Sequence, residues 1–449
     1  MKNIFLSIIT LFTVTTVFSQ PDIYPAPENK ETILIKNATI HVGNGTIINN
    51  GSILIRNSKI EKVGSDVEAP AGTVVYDVKG KQVYPGLISP VTNVGTKDVG
   101  GMVPGTNDYD ELGDINPNIR SIVAYNTDNH VINVLRTNGI LLANVVPQSE
   151  GGGDQLISGS SSVVQLDAWN WEDAAYKMDG QIHVNMPSLI QRRSRFSFFN
   201  PQAQSRDPEK EGLEKIESLK QFFREAQYYL TQKNHAETNL KFEATKGLFD
   251  KTQKLFVHCN AVKEMLMAID FKKDFGFDVV IVGGDDSWQI APLLRANNIP
   301  VILNQMHSLP ASYDDDVDQP FKTPAILQKA GVLFAISDVD GTTRGRNLMY
   351  NAGTAAAYGL TKEQALSAIT LNTAKILGID DKTGTIEAGK DANIIISEGD
   401  ILNMEESIVD LAFIQGRKIN LDNKQWQLSD RYQHKYGIQI KHPEQIKAQ

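Results

Sequence analysis

The stretch VYPGLI, residues 83–88, marks the point at which the pattern of the chain changes. Before it, short apolar runs are separated by turns rich in Asn and Gly, as at residues 43–45 and 49–51. This spacing is typical of an antiparallel sheet built from hairpins. After it, continuous apolar runs such as residues 140–146 and 279–282 alternate with helical segments. Such strands predict a parallel sheet that is buried on both faces, and hence an α/β domain.

Strand-like patterns return near the C-terminus, in residues 386–396 and 408–414. The β material therefore lies at both ends of a β/α middle part. We predict that residues 20–84 and 381–449 meet to form one small β-sandwich domain, while residues 85–380 form the larger domain.

The N-terminus has the features of a secretory signal peptide. Lys2 provides a positive charge, and residues 4–18 are almost wholly apolar. We predict that residues 1–19 are removed before Gln20 and that the protein is exported to the periplasm or the cell exterior. The apolar run is shorter than the roughly 20 residues of a membrane-spanning helix, so no span is expected in the mature chain.

Composition narrows the class of protein further. The chain has 449 residues, of which 41% are hydrophobic and 22% are charged, as in ordinary globular proteins. The net charge of −9 comes without a basic cluster, which argues against a nucleic acid partner. Cys259 is the only cysteine, so no internal disulfide can form. The fold must be held together by its apolar core.

Three segments carry a resemblance to a known family. Residues 83–88 resemble the motif FPGLID, residues 358–370 resemble yGls…eALraiT, and residues 384–392, GTIEAGKDA, resemble GslepGkdA. On these motifs the chain resembles the amidohydrolase superfamily, close to its imidazolonepropionase-like branch. The resemblance implies a (β/α)8 TIM-type barrel in residues 85–380, carried on the β-sandwich. It also implies a hydrolase that cuts non-peptide C–N bonds, in amides or cyclic amides, with one or two divalent metals.

The metal ligands that the resemblance implies are largely missing. The family has a His-x-His pair at the end of its first barrel strand, because residues i and i+2 face the same side. Val91 and Asn93 occupy these two positions, and none of the eight histidines forms a His-x-His pair. Residues 279–284 match strand six but contain no His, and residues 181–190, the expected neighbourhood of strand four, contain no Lys. The standard binuclear metal mechanism is therefore not expected.

Two candidate residues remain. His258, in FVHCN at residues 256–260, matches the strand-five ligand, and Asp338, in AISD at residues 335–338, matches the strand-eight Asp that binds metal and moves a proton. Both are our candidates for catalysis and for metal binding. Two structural roles stand beside these. His258 could simply satisfy a buried carbonyl, and Asp338 could bond to backbone N–H groups and to Arg344 or Arg346.

Other residues could carry chemistry elsewhere. Asp340, two residues after Asp338, could substitute for it. Trp169, Trp171 and Tyr176 could line a pocket, although packing under a loop explains them equally well. Cys259 fits small core filler better than a nucleophile.

Three functions remain open on these grounds. The first is a hydrolase of C–N bonds with a reduced site, in which Asp338 is the base and His258 is a ligand or acid, with at most one divalent metal such as zinc. The second is a catalytically inert barrel that acts as a binding protein or as the partner subunit of an active homologue. The third is unrelated chemistry from loop residues. The expected partner is a small molecule, and the resemblance allows a homo-oligomer.

Overall fold

The computed structural model describes residues 24–98, 107–148, 155–190, 207–232, 234–339 and 344–438. The predicted signal peptide, residues 1–19, lies outside these ranges and stays a prediction. Within the described part of the chain, no helix is both long and apolar enough to cross a membrane.

The two chain ends meet in one eight-stranded sheet. Strand β14 pairs antiparallel with β5, with Ile394 opposite Pro85 and Ile396 opposite Val83. The strands run in the order β16-β15-β14-β5-β1-β2-β3, and β4 pairs with β1. Their bounds are β1 (Ile33–His41), β2 (Ile47–Arg56), β3 (Lys59–Gly64), β4 (Val74–Asp77), β5 (Gln82–Pro85), β14 (Ile394–Ser397), β15 (Val409–Ile414) and β16 (Arg417–Lys418). The sheet surrounds its own apolar core, to which both chain ends contribute.

The second sheet is the predicted barrel sheet, with eight strands in sequential order. They are β6 (Leu87–Thr92), β7 (Ile140–Val145), β8 (Ile157–Gln165), β9 (Ala175–Asn185), β10 (Lys254–Cys259), β11 (Val279–Gly283), β12 (Val301–Leu303) and β13 (Phe334–Ile336). The first and last strands approach each other, because Ser337 Oγ donates a hydrogen bond of 3.3 Å to the carbonyl oxygen of Val91. The structure agrees with the α/β class and with a nearly closed barrel.

One strand departs from the (β/α)8 pattern. Strand β8 runs antiparallel to both β7 and β9, whereas the other barrel strands pair in parallel. The reason is the length of the connections, since only residues 166–174 separate β8 from β9. Parallel neighbours need a crossover of about a dozen residues or more, and a shorter connection gives an antiparallel pair.

Helices follow most of the parallel strands. Their bounds are α1 (His130–Thr137), α2 (Trp171–Ala174), α3 (Pro208–Thr231), α4 (Leu240–Glu243), α5 (Lys246–Phe249), α6 (Val262–Phe275), α7 (Ala291–Ala296), α8 (Gln319–Ala330), α9 (Leu348–Ala357), α10 (Lys362–Ala368), α11 (Leu371–Leu377) and α12 (Lys424–Tyr436). Alternate residues of each strand face opposite ways. Phe256 belongs to the cluster inside the barrel, and its neighbour Val257 to the cluster between barrel and helices.

Helix α11 closes the N-terminal end of the barrel. Its residues Ala374, Ile376 and Leu377 belong to the same apolar cluster as the barrel interior. The ammonium groups of Lys177 and Lys254 donate hydrogen bonds of 2.7 to 3.0 Å to backbone carbonyls at the C-terminal end of this helix. Cations are favourable there because the helix dipole is negative at that end. Any site within the barrel must therefore open at the opposite end.

A buried ion cluster joins the barrel to the sheet of the chain ends. The carboxylate of Asp167, which follows β8, is almost fully buried. It contacts Arg136 of α1 and accepts hydrogen bonds from Arg417 Nη1 of β16 at 3.1 Å and from the backbone N–H of Ala26 at 2.9 Å. Removing one partner from such a cluster is costly because the remaining charges stay buried.

We expect Asp167→Asn to lower the free energy of unfolding by about 3–5 kcal/mol, because two buried guanidinium groups lose their counter-charge. Chemical denaturation of the purified protein measures this change. The matched control is Glu217→Gln, because Glu217 and Arg224 form an exposed ion pair on α3 that should contribute little. Equal effects of the two substitutions would contradict the proposed role of the buried cluster.

Candidate functional site

The candidate site lies at the C-terminal ends of the parallel barrel strands, the end that α11 leaves open. Barrel enzymes place their reactive groups at this end. His258 lies near the end of β10, and Asp338 follows β13. Strands β11 and β12 separate these two residues. His258 is hydrogen-bonded to His183, whereas Asp338 is hydrogen-bonded to Asn351.

The end of β6 offers no strong metal ligand. Val91 is fully buried and belongs to the apolar cluster inside the barrel, so its side chain faces the interior as the alignment with His-x-His predicts. The Asn93 Nδ2 group donates a hydrogen bond of 3.3 Å to Gln148 Oε1. A valine has no donor atom, and an amide oxygen is a weak neutral ligand compared with the imidazole that zinc sites use.

Gly283, at the end of β11, leaves no room for a side chain. Gly283 has a φ of +104°, a conformation that L side chains rarely adopt, and a Cβ atom there would lie 2.3 Å from Asn260 Oδ1 and 2.9 Å from the carbonyl oxygen of Cys259. Any larger side chain would require the backbone to move. A His at position 283 is therefore not compatible with the local geometry.

His258 belongs to a chain of hydrogen bonds that runs down through the barrel. Its Nε2 lies 2.8 Å from Nδ1 of His183, on the neighbouring strand β9. The Nε2 atom of His183 lies 2.8 Å from Ser161 Oγ, and this hydroxyl donates to Gln181 Oε1 at 2.8 Å. Gln181 Nε2 in turn donates to the carbonyl oxygen of Leu377, at the end of α11.

The direction of this chain fixes the protons on both imidazoles. A carbonyl oxygen only accepts, so the amide nitrogen of Gln181 faces Leu377 and its oxygen accepts from Ser161. The single hydroxyl hydrogen of Ser161 is then used, and its oxygen accepts from Nε2–H of His183. A neutral imidazole carries one N–H, so Nδ1 of His183 accepts from Nε2–H of His258. His258 therefore carries its lone pair on Nδ1.

Both imidazoles are held neutral. Burial lowers the pKa of His258 to about 4, because the charged form loses its hydration. Burial, and then the charge of His258, lower the pKa of His183 well below its usual value. The Nδ1 lone pair of His258 is thus available at neutral pH, but as an acceptor rather than as a strong base.

Asp338 is buried beside helix α9. Asn351 Nδ2 donates a hydrogen bond of 3.3 Å to Asp338 Oδ2, and Asn351 Oδ1 accepts one of 2.7 Å from the backbone N–H of Met306. Asn351 thereby connects Asp338 with the loop that follows β12. Asp340, the other carboxylate considered from sequence, lies outside the described residues.

His183 is the site residue that the sequence analysis did not single out, although it lies within the predicted strand-four neighbourhood, residues 181–190. The signal was present in QIHVN, residues 181–185. There Gln, His and Asn alternate with Ile and Val, which places three polar side chains on the interior face of β9.

The described residues of the site do not fit a two-metal centre. In the described ranges, no group of three or more His, Cys, Asp or Glu side chains lies close enough to hold a metal ion. The remaining predicted ligands, His258 and Asp338, are two in number, whereas a catalytic zinc usually has three protein ligands.

Two other features of the sequence lie away from this site. Cys259 is buried in the layer between barrel and helices, in agreement with a packing role. Trp169, Trp171 and Tyr176 lie in or beside the connection from β8 to β9, at the closed end of the barrel. The ring of Trp169 packs against that of Tyr24 in a tilted arrangement, with 5.4 Å between the ring centroids, and Tyr176 donates a hydrogen bond of 2.5 Å to Asp391 Oδ2. These aromatic residues do not line the barrel mouth.

Sequence comparisons match parts of this chain to known proteins. The profile of the Amidohydrolase family matches residues 319–419. The amidohydrolase tasK of Hapsidospora irregularis is 19% identical over 391 residues, which is 79% of this chain and 38% of that protein. An imidazolonepropionase of Thermoplasma volcanium is 36% identical over 86 residues, which is 19% of this chain and 21% of that protein. The chain thus spans less than half the length of these curated relatives.

Solved structures extend the likeness to most of the chain. An amidohydrolase of Thermotoga maritima has a TM-score of 0.75 at 24% identity, over 86% of this chain and 99% of its own. A putative prolidase from Bifidobacterium longum has a TM-score of 0.53 at 16% identity, over 90% and 100%. The fold of this chain is therefore similar to that of solved amidohydrolases, and residues 319–419 match the family profile.

We expect nitrogen NMR of selectively labelled histidine to show His258 protonated on Nε2 and unprotonated on Nδ1. Because its pKa is lowered to about 4, these shifts should stay constant from neutral pH down to about pH 5. The signal of exposed His130 of α1 serves as the control for labelling. A proton on Nδ1 of His258 at neutral pH would contradict the assigned direction of the hydrogen-bond chain.

Proposed function

We propose that this chain is an amidohydrolase-like hydrolase that cuts non-peptide C–N bonds in small molecules, in amides or cyclic amides, without the two-metal centre of its class. The observation that carries this proposal is the Nδ1 lone pair of neutral His258 at the open end of the barrel. The fold and the matched family block support the reaction class.

Asp338 and His258 would have different roles in the reaction. Asp338 would accept a proton from the attacking water, whose oxygen forms the new bond to the carbonyl carbon. When the C–N bond breaks, this proton passes to the leaving nitrogen. His258 Nδ1, a weak base with a pKa of about 4, would accept a hydrogen bond and orient the water or the substrate N–H. Asn351 would hold Asp338 in place through its amide group.

Metal binding is limited to at most one ion in this proposal. His258 Nδ1 and Asp338 would be its protein ligands, and zinc is the metal that such ligands suit. No step of the proposed reaction depends on it, because the ligand set does not fit the binuclear arrangement.

The second candidate function is that of a binding protein or of a partner subunit of an active homologue. In this case the barrel would have no catalytic activity. Val91 favours it, because an apolar side chain fills a position where the class places a metal ligand. We also propose export of the protein, which rests on the sequence of residues 1–19. A homo-oligomer remains a proposal as well.

We expect the purified protein to hydrolyse members of a panel of small amides and cyclic amides. The substitution Asp338→Asn should lower kcat by roughly 100-fold or more, because it removes the proton acceptor. His258→Gln should also lower activity, since it removes the Nδ1 acceptor. The matched control is His307→Gln. His307 follows β12, and its exposed imidazole contacts Thr354.

The same experiment separates the two functions. Activity that survives in Asp338→Asn would contradict the assigned base. Binding of panel members without turnover by the unaltered protein would favour the inert barrel.

A further inference from the structure

The side chain of Asn260 lies just beyond the C-terminal end of β10, two residues after His258. His258 faces the barrel interior, whereas Cys259, between the two, lies in the layer between barrel and helices. Because side chains alternate along a strand, Asn260 comes to the same side as His258. It is partly exposed, so its side chain belongs to the open end of the barrel, where the candidate site lies.

The backbone of Asn260 is held on both sides. Its N–H donates a hydrogen bond of 3.2 Å to Oε2 of buried Glu264, in the first turn of α6. Its carbonyl oxygen accepts one of 3.0 Å from the N–H of Asp286, in the connection after β11. The side-chain oxygen lies against Gly283, where a Cβ atom would be only 2.3 Å away. The position of this side chain is therefore fixed before any ligand binds.

The direction of the Asn260 amide follows from its contact with Asn304. The Nδ2 group of Asn304 donates to Asp285 Oδ1 at 3.1 Å and to Asn260 Oδ1 at 3.2 Å. An ionised carboxylate only accepts, so the nitrogen of Asn304 must face both oxygens, and its two hydrogens are then used. The Nδ2 group of Asn260 points away from this contact. Within the described ranges, no residue accepts a hydrogen bond from it.

Two other asparagines near the candidate site have both amide hydrogens engaged. Asn351 donates to Asp338 Oδ2 and to the carbonyl oxygen of a preceding residue. Asn185, at the end of β9, donates to a backbone carbonyl oxygen and to Ser158 Oγ. Asn260 differs from both, because its donor hydrogens remain available to a ligand.

Hydrolysis of an amide needs a hydrogen-bond donor at the carbonyl oxygen. When the water oxygen bonds to the carbonyl carbon, one electron pair of the C=O bond moves to the oxygen, which becomes an oxyanion. The pair returns when the C–N bond breaks. Asp338 and Nδ1 of His258 accept protons or hydrogen bonds, so they do not stabilise this negative charge. A positioned side-chain amide N–H can stabilise it.

We propose that Asn260 is a catalytic residue whose Nδ2–H group donates a hydrogen bond to the carbonyl oxygen of the amide and stabilises the oxyanion. Its part in catalysis rests on the proposed function, whereas its recognition of a carbonyl oxygen rests on the direction of the amide alone. Asn304 and Gly283 are positioning residues. The first directs the Asn260 amide, and the second leaves room for its oxygen.

The first test is kinetic. On the amides that the unaltered protein hydrolyses, Asn260→Ala should lower kcat by roughly 100-fold to 1,000-fold, as the loss of one oxyanion donor does. The KM should change little, because the hydrogen bond strengthens mainly as charge develops. Asn260→Asp keeps the shape of the side chain but has no donor hydrogen at neutral pH, so it should lower kcat at least as much.

Two further variants locate the effect. Asn297→Ala is the matched control, because Asn297 is also partly exposed but donates to the carbonyl oxygen of Leu293 at the closed end of the barrel. It should leave kcat unchanged. Asn304→Ala keeps the donor and removes only the contact that directs it, so it should lower kcat by a smaller factor. This variant tests the proposal even if an Asn260 variant folds poorly.

A binding measurement on the unaltered protein is independent of turnover. Protein labelled with nitrogen-15 in its asparagine side chains is titrated with δ-valerolactam, and with the thiolactam of the same ring, whose sulfur is a weak hydrogen-bond acceptor. We expect the lactam to shift the side-chain amide signal of Asn260, which is identified by its loss in Asn260→Asp. The thiolactam should shift it much less, and the signal of Asn297 should stay in place.

Hydrolysis with an unchanged kcat in both Asn260 variants would overturn the proposal and leave the proposed hydrolase standing. An Asn260 signal that the lactam does not shift, or that both probes shift equally, would also overturn it. A signal shifted by the lactam alone, without turnover of any amide by the unaltered protein, would sustain the carbonyl contact while contradicting the proposed hydrolase.

Discussion

The hydrogen-bond chain from the Leu377 carbonyl to His258 determines what this barrel can do. It runs through the barrel interior, where water cannot replace a missing partner, so each group must donate or accept in one direction. Helix α11 fixes the lower end, since its C-terminal carbonyl accepts from Gln181. The upper end is a neutral imidazole whose remaining lone pair is at the mouth.

The described side chains in the interior of the barrel mouth are mainly apolar or neutral hydrogen-bonded groups. Val91 fills space, Asn93 bonds to Gln148, and His183 shares a hydrogen bond with His258. Charge at the open end comes instead from carboxylates, with Asp338 at the end of β13 and Asp285 beyond β11. The site is thus better suited to accepting hydrogen bonds from a ligand than to holding two cations.

The sequence predicted the coarse fold because its motifs are long and its strand patterns change sharply at residues 83–88. The inward orientation of the Val91 side chain could also be predicted from the sequence, because it depends only on the alternation of side chains along a strand. The antiparallel β8 was missed because apolar runs carry no direction, although the short connections on either side of it, residues 146–156 and 166–174, were a sign of it. His183 was missed because a single His in a strand does not show its neighbours, and its role arises from pairing with His258 across two strands.

Metal content tests the account most directly. The protein should be purified without chelator, supplied with zinc and analysed for bound metal against protein concentration. We predict no more than one equivalent of metal per chain, because His258 and Asp338 are the only matching ligands among the described residues. Two tightly bound equivalents would contradict the account, since they would require ligands at the mouth that Val91, Asn93 and Gly283 do not provide.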